Sequence, residues 1–154
     1  MTSYRTAKTY LTYYFNGELD SIIDRLRRRK NQKFSDDCYC TLSGVMLRPG
    51  KSSNKSGHAD ITAARAIHLA DISLSKERNF KRYSDLKEDI KKEVEKYDQR
   101  DLALLKADLG LTEYTKTELI KASSFSYTKA KKRLNEIFKA FDPIVRRAFG
   151  DECD

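Results

Sequence analysis

Apolar residues recur at steps of three and four from residue 4 to residue 30, and no proline interrupts them. This period places the apolar side chains on one side of an α-helix. The pattern therefore predicts a single N-terminal helix within residues 1–33. Its apolar stripe consists of Ala7, Leu11, Phe15, Leu19, Ile22 and Leu26.

The periodicity stops after this helix, and glycine, proline and serine residues mark residues 34–59 as a linker. A second long helix is predicted over residues 60–110, capped by Asp60 and ended by Gly110. The sequence also allows this helix to be interrupted near residues 73–75 or at Asn79. Its second half carries a coiled-coil-like seam, formed by Tyr83, Leu86, Ile90, Val94 and Tyr97.

We expect the N-terminal helix to fold back antiparallel against this seam, with homodimer formation through the same seam as the alternative. The last segment, residues 111–154, holds enough apolar residues for a small three-helix core and shows no strand-like alternation. The predicted fold is all-α: a long antiparallel helical hairpin, or stalk, followed by a C-terminal helix-turn-helix domain.

The pattern of this C-terminal segment predicts two helices joined by a short turn. Thr115 or Thr117 can cap a short first helix, and residues 123–125 form a tight turn. Ser126 is placed to cap a second helix from residue 127 to about residue 141. Two helices joined in this way form the helix-turn-helix arrangement.

The second helix has two contrasting faces, as expected of a recognition helix. Its inward stripe consists of Ala130, Leu134, Ile137, Phe138 and Phe141. The N-terminal part of such a helix enters the major groove of double-stranded DNA. The predicted DNA-binding residues are Ser126, Tyr127, Thr128, Lys129, Lys131, Lys132, Arg133 and Asn135. The basic members suit phosphates, and Tyr127, Thr128 and Asn135 suit bases.

The charge distribution favours a polyanionic partner. The net charge is +8 over 154 residues, with eleven basic and five acidic residues in the first 59 residues and nine basic and three acidic residues between positions 116 and 147. The middle of the chain is neutral, so the positive charge is segregated. A second basic run ends the N-terminal helix: Arg25, Arg27, Arg28, Arg29 and Lys30. This run is either a second DNA contact or a solvated helix end.

Several other classes of protein are not supported. No apolar run reaches the roughly 20 residues of a membrane span, and the N-terminus does not resemble a signal peptide, so we expect a cytoplasmic protein. Cys38, Cys40 and Cys153 lack the spacing of a zinc site and are interpreted as reduced structural thiols. The two histidines, His58 and His68, belong to no catalytic pattern, and we expect neither enzymatic activity nor a cofactor.

The layout resembles the RinA/ArpU group of phage late-transcription regulators, whose C-terminal segment is similar to region 4 of sigma factors. The residues that carry the resemblance are LIKA (119–122), SFS (124–126) and YTKAKKRLNEIFKAF (127–141). Ser124 stands where many members of the group have glycine. The resemblance implies sequence-specific DNA binding in a bacterial host cell, activation of late phage genes, and host RNA polymerase as a partner.

Two other functions remain open from the sequence. A small terminase-like DNA-packaging protein also joins a helix-turn-helix to helical hairpins, and it would assemble as a ring. A helical protein-protein interaction module would use the tyrosine-rich first helix and the seam over residues 83–97, without binding DNA.

Overall fold

The computed structural model describes residues 2–32, 58–122 and 126–150. Every regular element in these ranges is a helix, so the protein is all-α, as predicted from its sequence. Residues 34–57 of the predicted linker, with Cys38 and Cys40, lie outside the described residues, as does Cys153. The linker was predicted to end at residue 59 and Asp60 to cap the next helix, but that helix already begins at His58, so Asp60 lies within it. The helices are α1 (Thr2–Phe15), α2 (Glu18–Lys30), α3 (His58–Val94), α4 (Gln99–Asp108), α5 (Lys116–Ala122) and α6 (Tyr127–Phe149).

The N-terminal segment contains two helices, so the prediction of a single helix over residues 4–30 is wrong. Gly17 has a φ of 79°, a left-handed conformation that residues with a Cβ rarely adopt. The side-chain oxygen of Asn16 accepts a hydrogen bond from the Glu18 N–H at 2.9 Å, which satisfies a donor at the start of α2. Leu11 and Leu19 are both buried on either side of the break. Apolar periodicity alone therefore did not reveal it.

The central helical segment is divided at residues 95–98, and not at the positions considered from the sequence. Helix α3 runs without interruption to Val94, and α4 begins at Gln99. The Asp98 carboxylate accepts a hydrogen bond from the Asp101 N–H at 2.8 Å and caps α4. Gly110, with a φ of 71°, follows the end of α4, where the sequence predicted a helix end.

The chain forms two compact units, and α2 and α3 contribute residues to both. The smaller unit spans residues 24–81. In it, Lys30 pairs with Glu77 at 3.6 Å between Nζ and Oε1, and its ammonium lies 5.1 Å from the ring centroid of Phe80. Leu69 is buried in this unit.

The larger unit contains residues up to Ile23 and from Arg82 onward, and α6 lies at its centre. Helices α1, α4 and α5 all pack against α6, and α5 also packs against α4. We predicted that the N-terminal helix would lie antiparallel against the central helix. Its α2 part does so, with Asp20 paired to Lys87 and Lys30 paired to Glu77 of α3. Its α1 part packs against α6, which was not predicted. The buried apolar side chains of this unit are Ala7, Leu11, Leu19, Ile23, Leu86, Ile90, Leu105, Ile120, Ala130, Leu134, Ile137, Phe138, Phe141, Val145 and Phe149.

An aromatic cluster joins three helices of the larger unit. The ring of Tyr10 on α1 stacks on Phe149 of α6 with a centroid distance of 4.6 Å. Tyr83 of α3 meets the same ring edge-on at 5.4 Å. Aromatic pairs at these separations stabilise packing beyond the burial of their area. The last turn of α6 is therefore anchored to both α1 and α3.

A half-buried carboxylate, Asp108, joins α1 and α5 to the end of α4. Its Oδ2 lies 2.9 Å from the Lys8 Nζ, and its Oδ1 lies 2.9 Å from the Lys116 Nζ. Burial of the carboxyl opposes its ionisation, but the hydrogen bonds from Lys116 and Lys8 outweigh burial and hold the pKa of Asp108 below its usual range. Lys8 also lies over the ring of Phe138 on α6.

Candidate nucleic-acid interface

Helix α5 begins with a reciprocal pair of hydrogen bonds between Thr115 and Glu118. The Thr115 Oγ1 accepts from the Glu118 N–H at 3.3 Å, and the Glu118 Oε2 accepts from the Thr115 N–H at 2.7 Å. This arrangement is a capping box. Hydrogen bonds from the Thr115 backbone and hydroxyl lower the pKa of Glu118. Of the two candidate cap residues, Thr115 caps α5 in the structure. The predicted turn at residues 123–125 lies outside the described residues.

The cap of α6 is the predicted one, but the helix extends further than predicted. The Ser126 Oγ accepts a hydrogen bond from the Lys129 N–H at 3.3 Å. The predicted end near Phe141 is wrong, because α6 continues through Pro143 to Phe149. The additional turns bury Val145 and Phe149, and this packing stabilises the helix despite the hydrogen bond that proline cannot donate.

The two faces of α6 are those predicted. All five residues of the inward stripe are buried: Ala130, Leu134, Ile137, Phe138 and Phe141. The predicted DNA-binding side chains are all exposed: Ser126, Tyr127, Thr128, Lys129, Lys131, Lys132, Arg133 and Asn135. Tyr127 is 58% exposed. All of the predicted residues are therefore accessible in the first turns of α6 and at its cap, although they are spread around the exposed part of the helix.

The lysines of this surface differ from its arginine. Lys129, Lys131 and Lys132 form no ion pair with another described residue. The Arg133 Nε lies 3.1 Å from both Asp101 carboxylate oxygens, and its Nη2 lies 2.6 Å from Oδ2. These hydrogen bonds raise the pKa of Arg133. The lysine charges are available to an external anion, whereas the charge of Arg133 is already shared with a carboxylate.

Lys139 is a candidate contact that sequence reasoning missed. It is exposed on α6 and forms no ion pair with another described residue. Thr128, Lys132, Asn135 and Lys139 follow one another at steps of four, three and four, which places them along one line of the helix surface. The same spacing was visible in the sequence, but the predicted contacts ended at Asn135. We call Thr128, Lys131, Lys132, Asn135 and Lys139 the polar ridge of α6.

The second basic run lies at the end of α2 in the smaller unit, and all five of its side chains are exposed. Arg27 pairs with Asp24 at 3.3 Å, and Lys30 pairs with Glu77. No ion pair joins Arg25, Arg28 or Arg29 to another described residue. Two of the five charges are thus partly neutralised, while three remain open to solvent.

Metal-binding groups and membrane-spanning helices are absent from the part of the chain that the structure describes. No group of three metal-binding side chains occurs among these residues. None of the described helices is both long and apolar enough to cross a bilayer. His68 is exposed on α3.

Comparison with known proteins found no match for the chain among protein families, curated proteins or solved structures.

Proposed function

We propose that the protein is a sequence-specific DNA-binding transcription regulator that uses the N-terminal half of α6 as its recognition helix. The observation that carries the proposal is the polar ridge, an exposed line of lysines and hydrogen-bonding side chains opposite a fully buried stripe. A helix of this kind fits the major groove when its inward face is held by neighbouring helices. Helices α1, α4 and α5 hold α6 in this manner.

The residues divide into two roles in this proposal. Lys129, Lys131, Lys132 and Lys139 neutralise phosphates, because their ammonium groups form no ion pair with another described residue. Tyr127, Thr128 and Asn135 contact bases, with Asn135 suited to the paired donor and acceptor of adenine. The four phosphate contacts on α6 contribute about −3.6 to the slope of log affinity against log salt concentration.

The more specific function rests on the resemblance to the RinA/ArpU group. In this form of the proposal, the protein activates late phage or prophage genes in the cytoplasm of a bacterial host, and host RNA polymerase is its partner. The charge segregation supports a DNA partner independently of that resemblance.

The decisive experiment is fluorescence anisotropy with the full chain and labelled duplexes at two salt concentrations. We expect Lys131→Glu combined with Lys132→Glu to abolish binding, because it replaces two phosphate contacts by two repelling charges. Thermal unfolding should be unchanged, since both side chains are exposed. The milder pair Lys131→Gln and Lys132→Gln should flatten the salt slope by about 2.

The chain offers a matched control in the same unit. Lys91 and Lys92 are adjacent, exposed lysines on α3, so Lys91→Glu with Lys92→Glu makes the same change in net charge away from α6. We expect this variant to bind DNA nearly as well as the wild type. Equal losses in the two double variants would mean that net charge alone drives binding, and normal binding by the α6 variant would overturn the recognition-helix assignment.

The basic run of α2 enters the proposal as a second, non-specific contact. Substituting Arg27, Arg28 and Arg29 together by glutamine should weaken binding to all duplex sequences alike and make the salt slope shallower. Unchanged binding would identify the run as a solvated helix end.

A further inference from the structure

The side chain of Arg133 is held on three sides, although it lies beside the lysines of α6. Its Nε and Nη2 make the side-on, two-pronged contact with Asp101 of α4, and its Nη1 lies 3.4 Å from the Glu136 Oε2. The guanidinium carbon lies 5.8 Å from the ring centroid of Tyr97. The donors that face Asp101 and Glu136 are therefore already engaged within the protein. Bidentate contacts of this kind fix geometry as well as charge.

The position of Arg133 on the helix also separates it from the polar ridge. At about 100° per residue, Arg133 lies about 160° around the helix from Asn135. Asp101 precedes the fully buried Leu105 by one turn on α4, so it lies on the side of α4 that faces the core. The ion pair therefore spans the contact between α4 and α6 near the DNA-binding half of α6.

We propose that Arg133 is a positioning residue, which orients the recognition helix through Asp101 and does not itself bind a phosphate. The proposal rests on the proposed function, and it names the contact that orients α6 for DNA binding. The Arg133 side chain is 46% exposed, so the pair contributes little to global stability. Its effect is on the orientation of α6 relative to α4, which sets how the polar ridge meets the groove.

The substitution Arg133→Lys separates the two roles. Lysine keeps the positive charge and binds phosphates well, but it cannot form the two-pronged contact with Asp101. A phosphate contact would survive this substitution, whereas a positioning contact would be lost. For binding to a duplex selected from a random pool by the wild-type protein, we expect Arg133→Lys and Arg133→Gln to lose affinity alike, by about fivefold, which corresponds to about 1 kcal/mol. The salt slope should not change in either variant.

Substitutions of Asp101 test the same pair from its other side. Asp101→Asn should weaken binding to the selected duplex as much as Arg133→Gln does, and the double variant should be no weaker than either single variant. Asp101→Glu, which keeps the carboxylate, should retain most of the affinity. Asp85→Asn is the matched control, because Asp85 is exposed on α3 and the substitution removes the same charge in the same unit.

The outcomes are distinguishable. Arg133 would be a phosphate contact if Arg133→Lys bound with wild-type affinity and Arg133→Gln had a salt slope shallower by about 1. That pair of results would overturn the proposal. Binding by Asp101→Asn that equals or exceeds that of Asp85→Asn would overturn it too, because Asp101 would then not position the helix for DNA. If the wild-type protein selects no duplex at all, the proposed function itself fails.

Discussion

Neutralising Asp108 is the most informative test of how the helices around α6 are held together. The carboxylate is 12% exposed and accepts hydrogen bonds from Lys8 of α1 and from Lys116 at the start of α5, each at 2.9 Å. Asp108→Asn keeps the shape of the side chain and one acceptor oxygen, but it removes the negative charge. Both lysines then lose their ionic contact with this carboxylate while remaining about one-third exposed.

The expected magnitude lies between two limits. A fully exposed ion pair contributes about 0–1 kcal/mol, and a hydrogen bond to a charged group contributes about 1.5–3 kcal/mol. The lysines can regain part of their hydration, and the amide oxygen can still accept one hydrogen bond. We therefore expect a loss of about 2 kcal/mol in the free energy of unfolding, which corresponds to a fall of about 4–8 °C in Tm for a chain of this length.

The effect should depend on pH in a defined direction. The folded pKa of Asp108 is lowered relative to the unfolded value of about 3.9. The stabilisation is therefore fully present above the unfolded pKa and is lost as the pH falls through the folded pKa. The difference between wild type and Asp108→Asn should be constant near neutral pH and should shrink below about pH 4.

Urea unfolding at neutral and acidic pH, followed by circular dichroism, measures both expectations. Asp89→Asn is a control in the same unit, because the Asp89 Oδ2 lies 3.8 Å from the largely exposed Arg147, and it should cost less than about 0.5 kcal/mol. Equal stability of Asp108→Asn and wild type at neutral pH would refute the reasoning. So would a difference that persists unchanged in acid.

Three further predictions concern helix ends and the core. Gly17→Ala should destabilise the protein by about 1 kcal/mol in urea unfolding through backbone strain alone, since an added Cβ meets no atom within 4 Å; a stabilised variant would mean that α1 and α2 form one helix. Ser126→Ala should cost about 1 kcal/mol through loss of the α6 cap, while Ser126→Asn should retain stability; equal losses in both would argue against capping. Phe138→Ala should cost about 3–5 kcal/mol, because the ring is completely buried between α6 and its neighbours; a loss below about 1 kcal/mol, measured by the same unfolding curves, would contradict the packing of α6.

Local physics explains the parts that the sequence determined by itself. The inward stripe of α6, the cap at Ser126 and the helix end at Gly110 each depend on residues within one or two turns of one another. Helical periodicity and capping chemistry act over such short distances, so they can be predicted without knowledge of the tertiary structure. The all-α class follows for the same reason.

Local patterns missed the interruptions at Gly17 and at residues 95–98. The apolar stripe continues in register across Gly17, since Leu11 and Leu19 are both buried. Periodicity reports which side of a helix is apolar. When the apolar residues lie on the same side before and after a break, the periodic pattern does not change, so the break is not detected. The Asp98 cap was visible only as one acidic residue among many alternating charges.

Only the tertiary structure decided which faces meet. An apolar stripe specifies that a helix is buried on one side but not which helices cover it. The sequence predicted the central helix as the partner, and the packing of α1 against α6 became visible only in the fold. The same holds for charges: Arg133 pairs with Asp101, 32 positions away, and Lys8 pairs with Asp108, 100 positions away. A charged side chain available for DNA cannot be told from one held by a carboxylate until the fold brings the two together, because ion pairing depends on distance in space and not on separation along the chain.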